Sequence, residues 1–163
     1  MLVVADASPL IGLVKIGHAD VLAGVYGTVV IPPRVAAELA SPRRPADVRA
    51  FAAKPPPWLE VRAPSRVDPI DDLDPGELEA INLARELKAD LLLIDEAKGR
   101  AAAVALGILT ARTAAVLFDA ANAGVLPDLK AAFDKLRATN FRVPGRVLDE
   151  LLARHLASRP SER

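Results

Sequence analysis

Four acidic side chains interrupt apolar segments of this sequence. Asp6 ends the run Leu2-Val3-Val4-Ala5, and Glu38 lies inside Val35-Ala36-Ala37-Glu38-Leu39. Glu77 opens Gly76-Glu77-Leu78-Glu79-Ala80-Ile81, and Asp95 ends Leu91-Leu92-Leu93-Ile94. A carboxylate taken out of water is costly unless it is paired, hydrogen-bonded or bound to a metal. Four of them, each at the edge of an apolar segment, point to one shared acidic pocket. The chain has no cysteine, and its two histidines, His18 and His155, have no ligand spacing and read as surface or packing residues. A pocket of carboxylates alone suits a hard cation such as Mg²⁺ or Mn²⁺.

Each acid also has a local reading. Glu77 stands three residues after Asp74, which makes Asp74-Pro75-Gly76-Glu77 nearly a capping box. Glu38 alone reads as a solvated helix residue, Asp6 as a turn residue bonding its own backbone, and Asp95 as a helix N-cap. Capping does not require all four to sit beside one sheet edge, so the joint pattern favours the pocket. Glu96 either joins it or favours a helix N-terminus through the macrodipole. Ser8 is either an N-cap or a partner for metal-bound water or phosphate.

The elements that position these residues alternate short apolar strands with amphipathic helices. That alternation predicts an α/β fold, three layers with a central parallel sheet. Strands are expected at Leu2–Ala5, Thr28–Ile31, Leu91–Ile94 and Ile108–Ala111, with an edge strand at Leu59–Arg62. Helices are expected from Ser8-Pro9 with Ser8 as N-cap, after Pro32-Pro33, and over Ala46–Ala53, Pro75–Lys88, Glu96–Leu106, Thr113–Ala123, Leu129–Leu136 and Arg146–Leu156. Ligands of parallel sheets bind beyond the carboxyl ends of the strands, where Asp6 and Asp95 fall. Glu77 shares a helix face with Ala80, Ile81 and Ala84. Glu79 lies roughly 200° further round, on a more solvated face with Asn82, Leu83 and Glu86, and is at most an auxiliary member of the pocket.

Composition sets the frame. The chain has 163 residues, 52% of them hydrophobic. Residues 1–158 read as one domain with one core, followed by a polar tail over 159–163. Formal net charge is zero, so no global field gathers a polyanion. A nucleic-acid partner must be held by a local patch or a metal. Arg34, Arg43, Arg44, Arg100 and Arg112 are candidate phosphate contacts, Arg100 foremost because it follows Asp95-Glu96 by about one helical turn. Trp58, after three prolines, reads as a packing anchor. The apolar tract from Ala101 to Ala123 contains Arg112, Asp119 and Asn122, which fits buried elements better than a membrane span. Neither a secretory signal nor cysteine is present, as expected of a cytoplasmic protein.

At these residues the sequence resembles a PIN domain. Asp6-Ala7-Ser8-Pro9-Leu10-Ile11 is similar to its opening motif and Ile31-Pro32-Pro33-Arg34-Val35-Ala36-Ala37-Glu38-Leu39 to its second. Gly76-Glu77-Leu78-Glu79-Ala80-Ile81-Asn82-Leu83-Ala84 is similar to the third, in the variant with glutamate for the usual aspartate. Leu92-Leu93-Ile94-Asp95-Glu96 is similar to the fourth. Ala105-Leu106-Gly107-Ile108 and Asn140-Phe141-Arg142 resemble the DUF3368 subgroup, near the VapC-like toxins. The resemblance runs from Leu2 to about Leu152. One departure is Ala111-Arg112-Thr113-Ala114-Ala115, which keeps only the threonine of the subgroup's glycine-threonine-x-glycine stretch.

The resemblance implies a Mg²⁺- or Mn²⁺-dependent endoribonuclease cleaving single-stranded or structured RNA. Asp6, Glu38, Glu77 and Asp95 would be its metal ligands, directly or through water. It further implies a toxin of a type II pair, with a small antitoxin as partner. The two terminal amphipathic helices suit a homodimer and packing within the chain equally well. The rival is a catalytically silent PIN-like scaffold or dimerisation module. A haloacid-dehalogenase-like phosphatase needs a second aspartate two residues after Asp6, where Ser8 stands. No phosphate-binding glycine loop is present.

Overall fold

The computed structural model describes residues 1–159; the polar tail from residue 160 on lies outside the described residues. Five short strands form one parallel sheet in the order β3-β2-β1-β4-β5. They are β1 (Val3–Ala5), β2 (Val29–Ile31), β3 (Leu59–Val61), β4 (Leu91–Leu93) and β5 (Thr110–Ala111). The three residues of β1 and of β2 are all buried, as sequences covered on both faces must be. Val4 pairs with Val30 on one side and Leu92 on the other.

Helices α1 (Ala7–Lys15), α2 (Val21–Tyr26), α3 (Pro33–Leu39) and α4 (Ala46–Ala53) belong to the first half. They are followed by α5 (Pro75–Glu86), α6 (Ala97–Ala105), α7 (Thr113–Asn122), α8 (Leu129–Ala138) and α9 (Gly145–Ser158). Helix α5 packs on β1 and β4 and against α6, while α7 gathers α1, α2, α8 and α9. The chain steps from β1 outward to β3, then crosses back to β4 and on to β5. Right-handed crossovers in opposite directions put helices on both faces, which makes the three layers. Helix α3 follows β2 directly and touches both α1 and α5.

Several boundaries differ from the sequence expectation. Helix α1 begins at Ala7, with Asp6 in the N-cap position but making no side-chain cap bond. Ser8 therefore lies inside the first turn and is not the cap. Helix α2 is a separate element that hydrophobic periodicity does not announce. The fifth strand is shortened to Thr110–Ala111, because Gly107 takes a left-handed φ of 77° and leads the chain in from α6. Asn82 and Leu83 are buried, against the expectation of a solvated face. The Asn82 carboxamide accepts from Asp68 N–H (2.9 Å) and donates to the Asp68 carbonyl (3.0 Å), so the acidic loop folds over that side of α5. Trp58 packs against Phe51 with ring centroids 6.1 Å apart. His155 is buried, with Nδ1 2.6 Å from Asn122 Oδ1.

Candidate active site

The strand order reverses between β1 and β4, and a crevice opens beyond the carboxyl ends of strands at such a point. Asp6 follows β1 directly. Its N–H donates to the Leu93 carbonyl (2.9 Å), so sheet pairing extends one residue and fixes the backbone beneath the carboxylate. The side chain is buried, with the residue 3% exposed. Asp95 follows the neighbouring strand after the fully buried Ile94. Glu77 stands in the first turn of α5 at 6% exposure. Pro75 opens that helix and the Asp74 carboxylate accepts from Glu77 N–H (2.8 Å).

Two glycines clear the space around these groups. The Glu38 carboxylate, arriving from α3, occupies the position that a Cβ on Gly76 would take. A Cβ on Gly99 of α6 would lie 2.6 Å from Ile94 Cδ1 and 3.5 Å from Glu77 Oε2. The sequence Gly76-Glu77 thus joins the bearer of one carboxylate to the clearance for another.

The electrostatics report the crowding. Burial pushes the Asp6 carboxyl up to about 7, helped by the charges of Asp74, Glu38 and Asp95. Burial pushes Glu77 up to about 8, with the charge and hydrogen bond of Asp74 and the charge of Asp6 adding to it. Glu38 is raised by burial and by Asp74, while Arg44 and Arg34 pull it back. The Arg44 guanidinium is 4.0 Å from Glu38 Oε2. Asp95 is raised by burial and opposed by two bonds from Thr113 and by the charges of Arg100 and Arg112. Neither Asp6 nor Glu77 has an ion-pair partner among the described residues.

Asp6 thus feels the charges of Glu38 and Asp95, Glu77 feels that of Asp6, and Asp74 joins the four sequence-predicted acids as a fifth neighbouring charge. Asp74 reads in the sequence as a cap, and it is one. It is also the strongest neighbouring charge acting on Asp6, Glu38 and Glu77. The signal for it was present in Asp74-Pro75-Gly76-Glu77, since a side chain that caps the residue bearing a pocket acid must border the pocket.

The auxiliary residues separate. Both Asp95 oxygens are held at the start of α7: Thr113 N–H donates to Oδ1 (2.9 Å) and Thr113 Oγ1 to Oδ2 (2.7 Å). Asp95 thus caps α7, not the helix that follows it in sequence. The one residue retained from the glycine-threonine-x-glycine stretch is the one that grips this carboxylate. Arg100 Nη1 donates to the Asp95 carbonyl, and Arg112 sits at the N-cap of α7. Ser8 and Glu96 line a separate cleft beside Asp95. Glu79 is outside the cluster: its carboxylate accepts from Arg34 N–H (3.4 Å) at the start of α3. Arg43 lies in the turn after α3, its N–H donating to Ser41 Oγ (3.3 Å).

Among the described residues, no three acids or histidines are drawn together into a ready-made metal cage. Carboxylates repel one another, and Asp95 has both oxygens engaged. The donor chemistry nevertheless fits a divalent cation. Asp6 and Glu77 are buried carboxylates without a counter-charge among the described residues, and such groups are stabilised by a hard dication in their midst.

Residues 2–156 match the family described as DUF3368: PIN domain. The chain is similar in structure to a PilT N-terminus domain protein from the hyperthermophilic archaeon Sulfolobus solfataricus P2. That likeness has a TM-score of 0.56 at 24% identity, and covers 74% of this chain and 93% of the other. It speaks for the fold alone. No curated protein matches the chain. PIN domains are generally nucleases that use divalent metal ions. With the family match spanning the sheet, its helices and all four predicted acids, this chain belongs to the DUF3368 family of PIN domains.

Proposed function

We propose that this protein is a divalent-metal-dependent endoribonuclease acting on single-stranded or structured RNA. The observation that carries the reading is the pair Asp6 and Glu77. They are buried carboxylates without a counter-charge among the described residues, set where the strand order reverses. Asp6, Glu38 and Glu77 would hold Mg²⁺ or Mn²⁺, with Asp74 bordering the same space. The ion, when bound, supplies positive charge at the scissile phosphate and acidifies the attacking water. Asp95, fixed by Thr113, acts from the side as an acceptor for water in the site. Arg100 and Arg112 flank Asp95 and present cationic charge to an entering phosphate. Arg34 and Arg44 do the same on the Glu38 side.

We read the nuclease further as the toxin of a type II pair. An antitoxin would place an arginine in the acidic pocket, where a bidentate pair is strong. The exposed side chains of Val104, Leu106 and Leu109, on α6 and before edge strand β5, support a protein partner, either an antitoxin or a second copy. No helix among the described residues is long and apolar enough to cross a membrane.

The test is cleavage of a mixed RNA pool with Mg²⁺, with Mn²⁺ and with EDTA, beside growth of cells expressing the chain. Cleavage lost in EDTA supports the nuclease. Growth arrest relieved by a short reading frame encoded next to it supports the toxin. No cleavage with either ion and no arrest would leave the silent scaffold.

Two variants separate neighbouring residues. Glu77→Gln removes a pocket carboxylate and lowers cleavage by at least about tenfold, whereas Glu79→Gln leaves it within about twofold. Equal losses in a single-turnover assay would sink the assignment of Glu77. Thr113→Val keeps the buried volume but removes the donor to Asp95 Oδ2. It lowers activity about 10- to 100-fold, the usual effect of losing an orienting partner. It also raises the metal concentration needed for half-maximal rate. An unchanged metal titration would show that Thr113 serves only the helix.

A further inference from the structure

A cleft of about 250 Å³ lies beside the acidic pocket, lined by Ser8, Asp95, Glu96, Asn140, Phe141 and Arg142. Asp95 belongs to both. Resting on the ribonuclease reading, we propose that this cleft is a base-binding subsite, which takes the nucleotide next to the scissile phosphate and prefers a base with an exocyclic amino group.

The cleft is built by one stripe of α1. Ser8, Gly12 and Lys15 are spaced four and three apart and share a helix face. Lys15 Nζ donates to Asn140 Oδ1 (2.7 Å). Gly12 seats the Phe141 ring, since a Cβ there would lie 3.0 Å from Phe141 Cε2 and 3.1 Å from Cδ2. Ser8 reaches the cleft one turn nearer to Asp6. The segment is pinned again where Thr139 Oγ1 accepts from Phe141 N–H (3.1 Å) and donates to the Leu136 carbonyl (2.7 Å). An aromatic ring is thus held in place on the helix whose start carries Asp6. Phe141 is half-buried, so part of its surface remains for contact.

The polar groups around the ring define the ligand. With Oδ1 engaged by Lys15, the Asn140 amide has its two N–H donors unused among the described residues. The carboxylate of Glu96 and the guanidinium of Arg142 make no hydrogen bond or ion pair among the described residues, and both are exposed. Asp95 and Glu96 make one wall anionic, so a phosphate is repelled from the floor. A neutral aromatic base is accepted there, stacking on Phe141. Glu96 accepts from an exocyclic amine, as acidic side chains do from cytosine N4. Uracil has no such amine. Arg142, at the exposed rim, meets the phosphate that links this base to the one under attack.

The test is fluorescence anisotropy of labelled oligo(C), oligo(A) and oligo(U) with the Asp6→Asn protein in Mg²⁺, which binds without cutting. Oligo(C) and oligo(A) bind more tightly than oligo(U). Adding Phe141→Leu, which keeps an apolar group on Gly12, weakens oligo(C) binding about tenfold or more, while Phe141→Trp retains it. Adding Glu96→Gln removes the discrimination against oligo(U), an effect that loss of packing alone does not produce. Equal binding of oligo(C) by the Phe141→Leu protein and its parent would overturn the subsite. If the wild-type protein still cleaves RNA in that case, the nuclease reading stands without it. Failure of wild type to cleave and of the parent to bind any oligonucleotide would overturn both.

Discussion

Asp6→Asn loses metal-dependent cleavage by at least about a hundredfold, a loss of the size seen when one preorganised charge-stabilising group is removed, yet the protein folds as well as wild type or better. Asn and Asp are nearly isosteric, so the packing around the carboxylate persists. What disappears is a buried charge beside Asp74, Glu38 and Asp95. The gap between 3.8 and about 7 corresponds to about 4 kcal/mol of unfavourable interaction at neutral pH. That is an upper bound on the gain, because the unsatisfied amide of Asn has its own cost. For a chain of this size each kcal/mol moves Tm by about 2–4 °C. The variant's metal-free Tm at pH 8 therefore holds or rises by several degrees. Cleavage surviving in Asp6→Asn would remove Asp6 from the site, and a fall in Tm would contradict the electrostatic account of it.

Metal binding grows steeply with pH and releases protons. Asp6 and Glu77 have folded-state values of about 7 and about 8, against ordinary values of 3.8 and 4.5. Both are raised, so between the ordinary and the folded value the folded protein holds protons that the unfolded chain has lost. Metal-free stability therefore falls as pH rises from about 4 to about 8. Below that window the penalty is absent, and above it the penalty is complete. A dication must displace the same protons. Apparent affinity for Mg²⁺ or Mn²⁺ then rises about tenfold or more per pH unit below about 7 and levels off above about 8. Calorimetry at pH 6.5 in buffers of different ionisation enthalpy registers the released protons. The Tm difference between Mg²⁺ and EDTA widens from pH 6 to pH 8.5. Metal affinity independent of pH would mean that neither carboxylate is a ligand.

The same carboxylates explain what could be read before folding. Strands buried on both faces announce themselves as runs such as Val3-Val4-Ala5 and Leu91-Leu92-Leu93, because nothing polar survives inside a parallel sheet. An acid ending such a run is visible for the same reason, and that rule located Asp6 and Asp95. Helix-face arithmetic put Glu77 on the buried side of its helix, as the structure does, but it misjudged Asn82 and Leu83. A helix face is solvated or buried according to what folds onto it, and here the Asp68 loop covers that side through Asn82. Local spacing also misassigned Ser8 as a cap, since the backbone turns helical at Ala7, directly after the extended Asp6, and leaves Ser8 inside the first turn.

The sequence by itself determined the layered α/β class, the four acids and the family they resemble, because burial pattern and motif order are properties of the chain. Only the tertiary structure decided that the strand order reverses between β1 and β4, bringing the ends that carry Asp6 and Asp95 together from 89 positions apart. It alone placed Asp74 among the pocket charges, gave Asp95 to Thr113, and laid Phe141 on Gly12. Those contacts join residues distant in sequence, and their geometry depends on which crossovers the sheet adopts.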